Sequence, residues 1–166
     1  LLRRQVMNDF RIPLVVFTPK SLLRHPKVVS DVSELEKSCF KELLDDDRVK
    51  PGSVKKVVLC SGKIYYDLLD AAESKKRKDI ALVRLEQLYP LPKKQLAALK
   101  KRYSKAKEFI WVQEEPENMG PWTHIMRHLS SWNLSCISRS ESASPAVGNS
   151  KIHVLEQDKI IKQVFR

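Results

Sequence analysis

Ser61-Gly62-Lys63 is the segment of this sequence best equipped to hold an anion. It follows the apolar run Val57–Cys60 and precedes a helical pattern at Ile64, Tyr65, Leu68, Leu69 and Ala72, so it reads as a strand-to-helix turn. Glycine permits a tight backbone there, and the helix N-terminus offers N–H groups and positive dipole to a negative ligand. Lys63 adds a point charge. The residues alone equally admit a plain structural role, with Ser61 as an N-cap and Lys63 solvated. Gln113-Glu114-Glu115-Pro116 sets two carboxylates after another apolar run, a placement that acid–base catalysis uses. No nucleophile, base–orienter pair or metal triad accompanies them, so pairing with Arg84 or Lys63 is their expected use and no catalytic residue is assigned. His124 and His128 have the i, i+4 spacing of zinc ligands, but Ile125 stands where an H-E-x-x-H motif places its glutamate, and no metal is expected. Ser144 lacks a G-x-S-x-G context and is expected in a loop.

Glycine usage narrows the chemistry further. The four glycines, Gly52, Gly62, Gly120 and Gly148, are too scattered for a G-x-G-x-x-G fingerprint. A P-loop would need a glycine where Val57 stands. An anion here must be held without a Gly-rich cradle.

The elements that would position these residues follow from apolar patterning. Leu14–Phe17, Val57–Cys60, Ile80–Leu85, Phe109–Val112 and Leu134–Ile137 are short, continuous and non-alternating, as in strands buried on both faces. Helical patterns lie between and after them: Leu96, Leu99 and Tyr103; Trp122, Ile125, Met126 and Leu129; Ile152, Leu155, Ile160 and Val164. Between Asp31 and Lys50, Ser33 with Glu36 resembles a capping box that the Asp45-Asp46-Asp47 run would cut short. The alternation predicts an α/β fold of three layers: a mostly parallel five-stranded sheet with helices on both faces. Residues 13–166 read as a single domain. Ligands of such sheets bind beyond the carboxyl ends of the strands. That rule gathers Thr18, Lys20, Ser61, Lys63, Gln113 and Arg139 at one edge, with three cations among them.

At 166 residues and 42% hydrophobic, the chain has the makings of a folded core. Its net charge of +11 invites a nucleic-acid reading. However, the basic clusters Lys75–Lys78 and 93–107 carry no interleaved exposed aromatics and no recognition motif, so a solvated basic face is expected and nucleic acid is not. Cys39, Cys60 and Cys136 are odd in number and have no C-x-x-C spacing, which predicts small buried hydrophobes in a reducing compartment. No run approaches the ~20 apolar residues of a membrane span. Trp122 and Trp132 are expected in the core, as is Tyr89, with a partner surface as the alternative.

Taken as strings, Phe17-Thr18-Pro19-Lys20-Ser21-Leu22-Leu23-Arg24, Ser61-Gly62-Lys63-Ile64-Tyr65-Tyr66 and Arg84-Leu85-Glu86-Gln87-Leu88-Tyr89-Pro90 form an ordered set. Trp111-Val112-Gln113-Glu114-Glu115-Pro116 with Asn118, Gly120 and Trp122, and Ser142-Ala143-Ser144-Pro145-Ala146, complete it. Together they resemble the carboxyl-terminal domain of the 2-oxoglutarate dehydrogenase family, over nearly the whole chain. The resemblance implies a transketolase C-terminal-domain-like fold within an enzyme that decarboxylates 2-oxoglutarate and passes succinyl to a lipoyl group, with a 2-oxoadipate-specific relative as the alternative. It implies that residues 1–12 are the tail of a preceding domain and its linker, with thiamine diphosphate and Mg in upstream domains and none in this chain, which would be catalytically silent. It also implies a homodimer, the dihydrolipoyl succinyltransferase component as partner, and a bacterial cytoplasmic or mitochondrial matrix location. Acetyl-CoA or AMP are the family's effectors, and by motif match acyl-CoA contacts would fall near Thr18, Ser61, Lys63, Gln113 and Arg139. Ser140 departs from the acyl-CoA-regulated pattern, which has a second basic residue there. A free-standing anion-binding module is the alternative from a different class.

Overall fold

Four of the five apolar runs form strands: β2 (Lys56–Cys60), β3 (Ile80–Leu85), β4 (Glu108–Pro116) and β5 (Ser135–Arg139). They pair in parallel, with Val57 opposite both Ala81 and Phe109, and Trp111 opposite Cys136. The fifth strand, β1 (Leu43–Leu44), pairs antiparallel with β3, giving the order β1-β3-β2-β4-β5. These features come from a computed structural model describing all residues, Leu1–Arg166. It divides into two compact units, Leu1–Glu42 and Leu43–Arg166, and the sheet lies wholly in the second.

Successive strand residues face opposite ways, so each strand supplies both layers of core. Val57, Leu59, Ala81, Val83, Leu85 and Trp111 pack against α4 (Lys93–Arg102) and α5 (Trp122–His128), through Leu96, Leu99, Trp122 and Ile125. Val58, Cys60, Ile80, Leu82, Ile110 and Val112 pack against α3 (Ile64–Ser74) and α6 (Ser150–Val164), through Ile64, Leu68, Ile160 and Val164. A strand apolar at every position is what this two-sided burial requires. The predicted three-layer, mostly parallel α/β sheet of five strands is therefore what this unit builds.

One strand is not the predicted one. Leu14–Phe17 forms no ladder, and Phe17 is 94% exposed. A strand is stable only beside a neighbour that takes its hydrogen bonds, and all five strands lie between Leu43 and Arg139. The first unit is instead helical in places, with α1 (Leu2–Val6), a 3-10 turn at Lys20–Leu22 and α2 (Val32–Lys37). Arg3 donates to the Ser38 carbonyl at 3.0 Å, and the Arg4 guanidinium lies 5.1 Å from the Phe40 ring centre. The cap of α2 is Asp31, whose carboxylate accepts from the Ser33 N–H at 2.8 Å, and not the Ser33–Glu36 box.

Cys60 is buried, as expected of a small hydrophobe, and burial pushes its thiol up to about 12. Cys136 is half-buried, and Cys39 is exposed, against expectation. Leu96, Leu99 and Tyr103 form the predicted inward stripe under the basic cluster 93–107. Trp122 and Trp132 are buried, whereas Tyr89 is 83% exposed. The final helix is the informative departure. Ile160 and Val164 reach the core, but Ile152 and Leu155, assigned to the same stripe, point to solvent.

Candidate functional site

The site begins where β2 leaves the sheet. Gly62 turns the chain with φ +77°, a left-handed conformation that glycine adopts without strain. The cap position of α3 is Lys63, and no side chain caps the helix, so Ser61 does not have the N-cap role. The Lys63 ammonium reaches Glu114 Oε1 at 2.6 Å and Asp67 Oδ2 at 3.3 Å. The expected Lys63–Glu114 pairing forms; Arg84 pairs instead with Glu86, 3.4 Å away, and lies over the Tyr65 ring at 4.4 Å. Burial works against the Lys63 charge, but the hydrogen bonds and fields of Glu114 and Asp67 outweigh it and hold its proton above the ordinary lysine range.

Gln157, on α6, closes this cluster into a ring. Its Nε2 donates to Asp67 Oδ2 and to Glu114 Oε1, both at 2.8 Å. The same two carboxylate oxygens are thus shared by Lys63 and Gln157. The Gln157 side chain is buried, and its Oε1 finds no donor. No local pattern marks Gln157 as the partner of Glu114 and Asp67, from which 43 and 90 residues separate it.

Arg139 ends β5, opposite Pro116 of β4. Its side chain is 8% exposed, its Nε lies 3.2 Å from Glu156 Oε2, and its terminal nitrogen donates to His153 Nδ1 at 2.9 Å. Accepting there requires the His153 proton to sit on Nε2. The Nε–carboxylate pair is close but lacks hydrogen-bond geometry, so both atoms are buried without a partner of that kind. Arg139, Glu156, Pro116, Ser142, Ser144 and Ala146 line a cavity of about 230 Å³. The Ser144 hydroxyl donates to the Ala146 carbonyl at 2.8 Å, as befits the loop residue it was expected to be.

Gln113 sits nearby, but its amide is spent inside the protein. It accepts from Trp111 Nε1 at 2.9 Å and from the Trp122 N–H at 3.1 Å, and donates to the carbonyls of Pro116 at 3.0 Å and Met119 at 2.8 Å. It pins the turn between β4 and α5. Thr18 and Lys20 lie in the first unit, exposed, with Lys20 opening the 3-10 turn. The strand that was to carry them to the carboxyl edge does not form.

The histidine pair is occupied as well. The rings of His124 and His128 are 4.2 Å apart, with His124 Nε2 on the Leu88 carbonyl and His128 Nδ1 on that of His124. No group of three His, Cys, Asp or Glu side chains is placed to hold a metal ion. What the edge offers chemically is two partly buried cations, each faced by internal carboxylates, with Arg139 also lining a cavity.

A family model described as 2-oxoglutarate dehydrogenase C-terminal matches residues 29–165. A protein named 2-oxoglutarate dehydrogenase E1 component from Rickettsia felis is 46% identical over 99% of this chain, which spans 18% of that relative. Its namesake from Azotobacter vinelandii is 43% identical, again over 99% of this chain and 18% of its own length. A solved split-gene transketolase, an inactive beta4 tetramer, aligns with 68% of this chain and 39% of its own at a TM-score of 0.49 and 10% identity.

Proposed function

Because this chain belongs to the 2-oxoglutarate dehydrogenase C-terminal family, we propose that it serves as the carboxyl-terminal domain of a 2-oxoglutarate dehydrogenase E1 component. The observation that carries the reading is similarity extending over 99% of the chain to relatives bearing that name. In this role the whole enzyme decarboxylates 2-oxoglutarate with thiamine diphosphate and Mg and delivers succinyl to the lipoyl group of a dihydrolipoyl succinyltransferase. The domain itself supports the homodimer and carries an effector site for acetyl-CoA or AMP.

The residues here do not fit the cofactor. Magnesium beside a diphosphate asks for a set of oxygen ligands, and no cluster of three suitable side chains exists. No chemical step is therefore assigned to this chain. Its contribution is an anion-binding edge, with Lys63 and Arg139 as the charged contacts and the Ser61–Lys63 turn at the α3 N-terminus supplying backbone donors. Gln113 shapes the edge by fixing the turn after β4.

Two measurements test this. The isolated chain should give no thiamine-diphosphate-dependent decarboxylation of 2-oxoglutarate; sustained turnover would refute the assignment of catalysis elsewhere. Titration calorimetry with acetyl-CoA and with AMP should give heat for one of them, and heat for neither removes the effector role.

A further inference from the structure

The inward face of α6 changes character halfway along. From Ser150 to Gln157, the residues turned toward the sheet are His153, Glu156 and Gln157, spaced i, i+3, i+4 and all polar. From Ile160 onward they are apolar and sit in the core with Val164 and Phe165. Ile152, Val154 and Leu155 in the first half point outward. The second half of α6 is thus anchored by burial, and the first half by contacts with the site alone.

Those contacts land on the groups an anion would seek. Gln157 shares the Glu114 and Asp67 carboxylates with Lys63, and Glu156 and His153 both engage Arg139. Each cation already has an internal carboxylate facing it, so an entering anion must displace Glu114 from Lys63 or Glu156 from Arg139. The arrangement at Arg139 is also imperfect. Arg139 Nε, Glu156 Oε2 and Gln157 Oε1 are buried and none has a hydrogen bond. Arg139, its side chain nine-tenths buried, lines the 230 Å³ cavity with Glu156, so the strained pair itself faces the space a ligand would enter.

We infer that the first half of α6 is a latch: a multiply charged anion held by Lys63 and Arg139 displaces Glu114 and Glu156 and so loosens residues 150–157, which keep only the Gln157–Asp67 and His153–Arg139 hydrogen bonds to the sheet edge. The inference rests on the anion-site reading above and extends it from binding to a mechanical response. Because consecutive residues of α6 contact the two halves of the site, Glu156 at Arg139 and Gln157 at the Lys63 ring, one ligand spanning both cations removes the Glu156–Arg139 and Gln157–Glu114 contacts together. The core anchor at Ile160 and Val164 keeps the rest of the helix in place, which puts the hinge near Asp158-Lys159.

The test uses the full chain with inorganic pyrophosphate as probe, reading binding by calorimetry and helix opening by amide hydrogen exchange. With pyrophosphate bound, amides of Lys151–Gln157 should exchange at least about fivefold faster while those of Ile160–Val164 stay unchanged. Glu114→Gln, which weakens the hold on Gln157 and uncovers Lys63, should raise exchange in the same segment without ligand and tighten pyrophosphate binding about tenfold. Binding with unchanged exchange at Lys151–Gln157 overturns the latch and leaves the anion site standing. Absence of pyrophosphate binding in both the parent chain and Glu114→Gln overturns the anion-site reading itself. Faster exchange throughout α6, including Ile160–Val164, also overturns the latch, because it shows the helix leaving as one body.

Discussion

Replacing Gln113 by leucine should destabilise the protein by ~2–4 kcal/mol, although the side chain is polar and was first assigned to a ligand. The residue is 2% exposed, and its amide makes four hydrogen bonds of 2.8–3.1 Å. Leucine has nearly the same volume, so no large cavity opens. It does strand the Trp111 indole N–H and the Trp122 backbone N–H, both buried, at ~1–3 kcal/mol for each unsatisfied donor. The carbonyls of Pro116 and Met119 lose a donor too, and added apolar burial returns ~1 kcal/mol. The net is a large share of the ~5–15 kcal/mol that holds an ordinary domain together. Urea unfolding followed by tryptophan fluorescence measures it, since two of the three tryptophans flank the substitution. A double-mutant cycle with Trp111→Phe sharpens the test: the pair should couple by ~1 kcal/mol, because the second change removes one donor the first has stranded. A loss below ~1 kcal/mol for Gln113→Leu, with no coupling, would refute the view that this amide pins the β4–α5 turn.

Three other outcomes follow from the same geometry. Tyr103→Phe should cost ~1–2 kcal/mol in thermal or urea unfolding, since the fully buried ring donates its hydroxyl to Asp45 Oδ1 at 2.7 Å. In a thiol-reagent assay near pH 8, Cys39 should react rapidly and Cys60 only on unfolding, with Cys136, whose thiol burial pushes up to about 11, reacting slowly between them. Lys63 should leave a mark on alkaline stability. Its folded pKa is raised above 10.5, so its contribution is fully present below that value and lost as pH rises through the higher folded one; Lys63→Met should flatten that part of the stability profile.

Strands buried on both faces were legible because each needs a continuous apolar run, as Val57–Cys60 and Ile80–Val83 supply. The same criterion failed at Leu14–Phe17, whose composition matches but which has no neighbouring strand; pattern reports what a segment can pair with, not whether a partner is present. Leu43–Leu44 escaped for the opposite reason, being two residues long between Glu42 and Asp45. In the site, Lys63 and Glu114 were legible as partners because each follows an apolar run of the sheet on the same edge. Gln157 was not, since an amide in a helix far downstream carries no local sign of what it will touch. The apolar spacing along α6 misled in its first half, where Ile152 and Leu155 keep helical period yet face water, and the inward positions belong to His153, Glu156 and Gln157.

The placement of α6 also sets an order in time. Its last turn fastens residues made much earlier: Lys56 Nζ donates to the Val164 carbonyl at 3.2 Å, and Arg77 to that of Phe165 at 3.1 Å. Loops of 108 and 88 residues must therefore close before these bonds exist. Pairings so remote in sequence form slowly compared with local helices. On the ribosome, β2, β3 and β4 emerge with Val58, Ile80 and Ile110 still lacking α6, the second of the two helices on their face. For that interval α3 covers only its own share of this layer, and the growing chain displays to the cell the apolar surface that α6 will later cover.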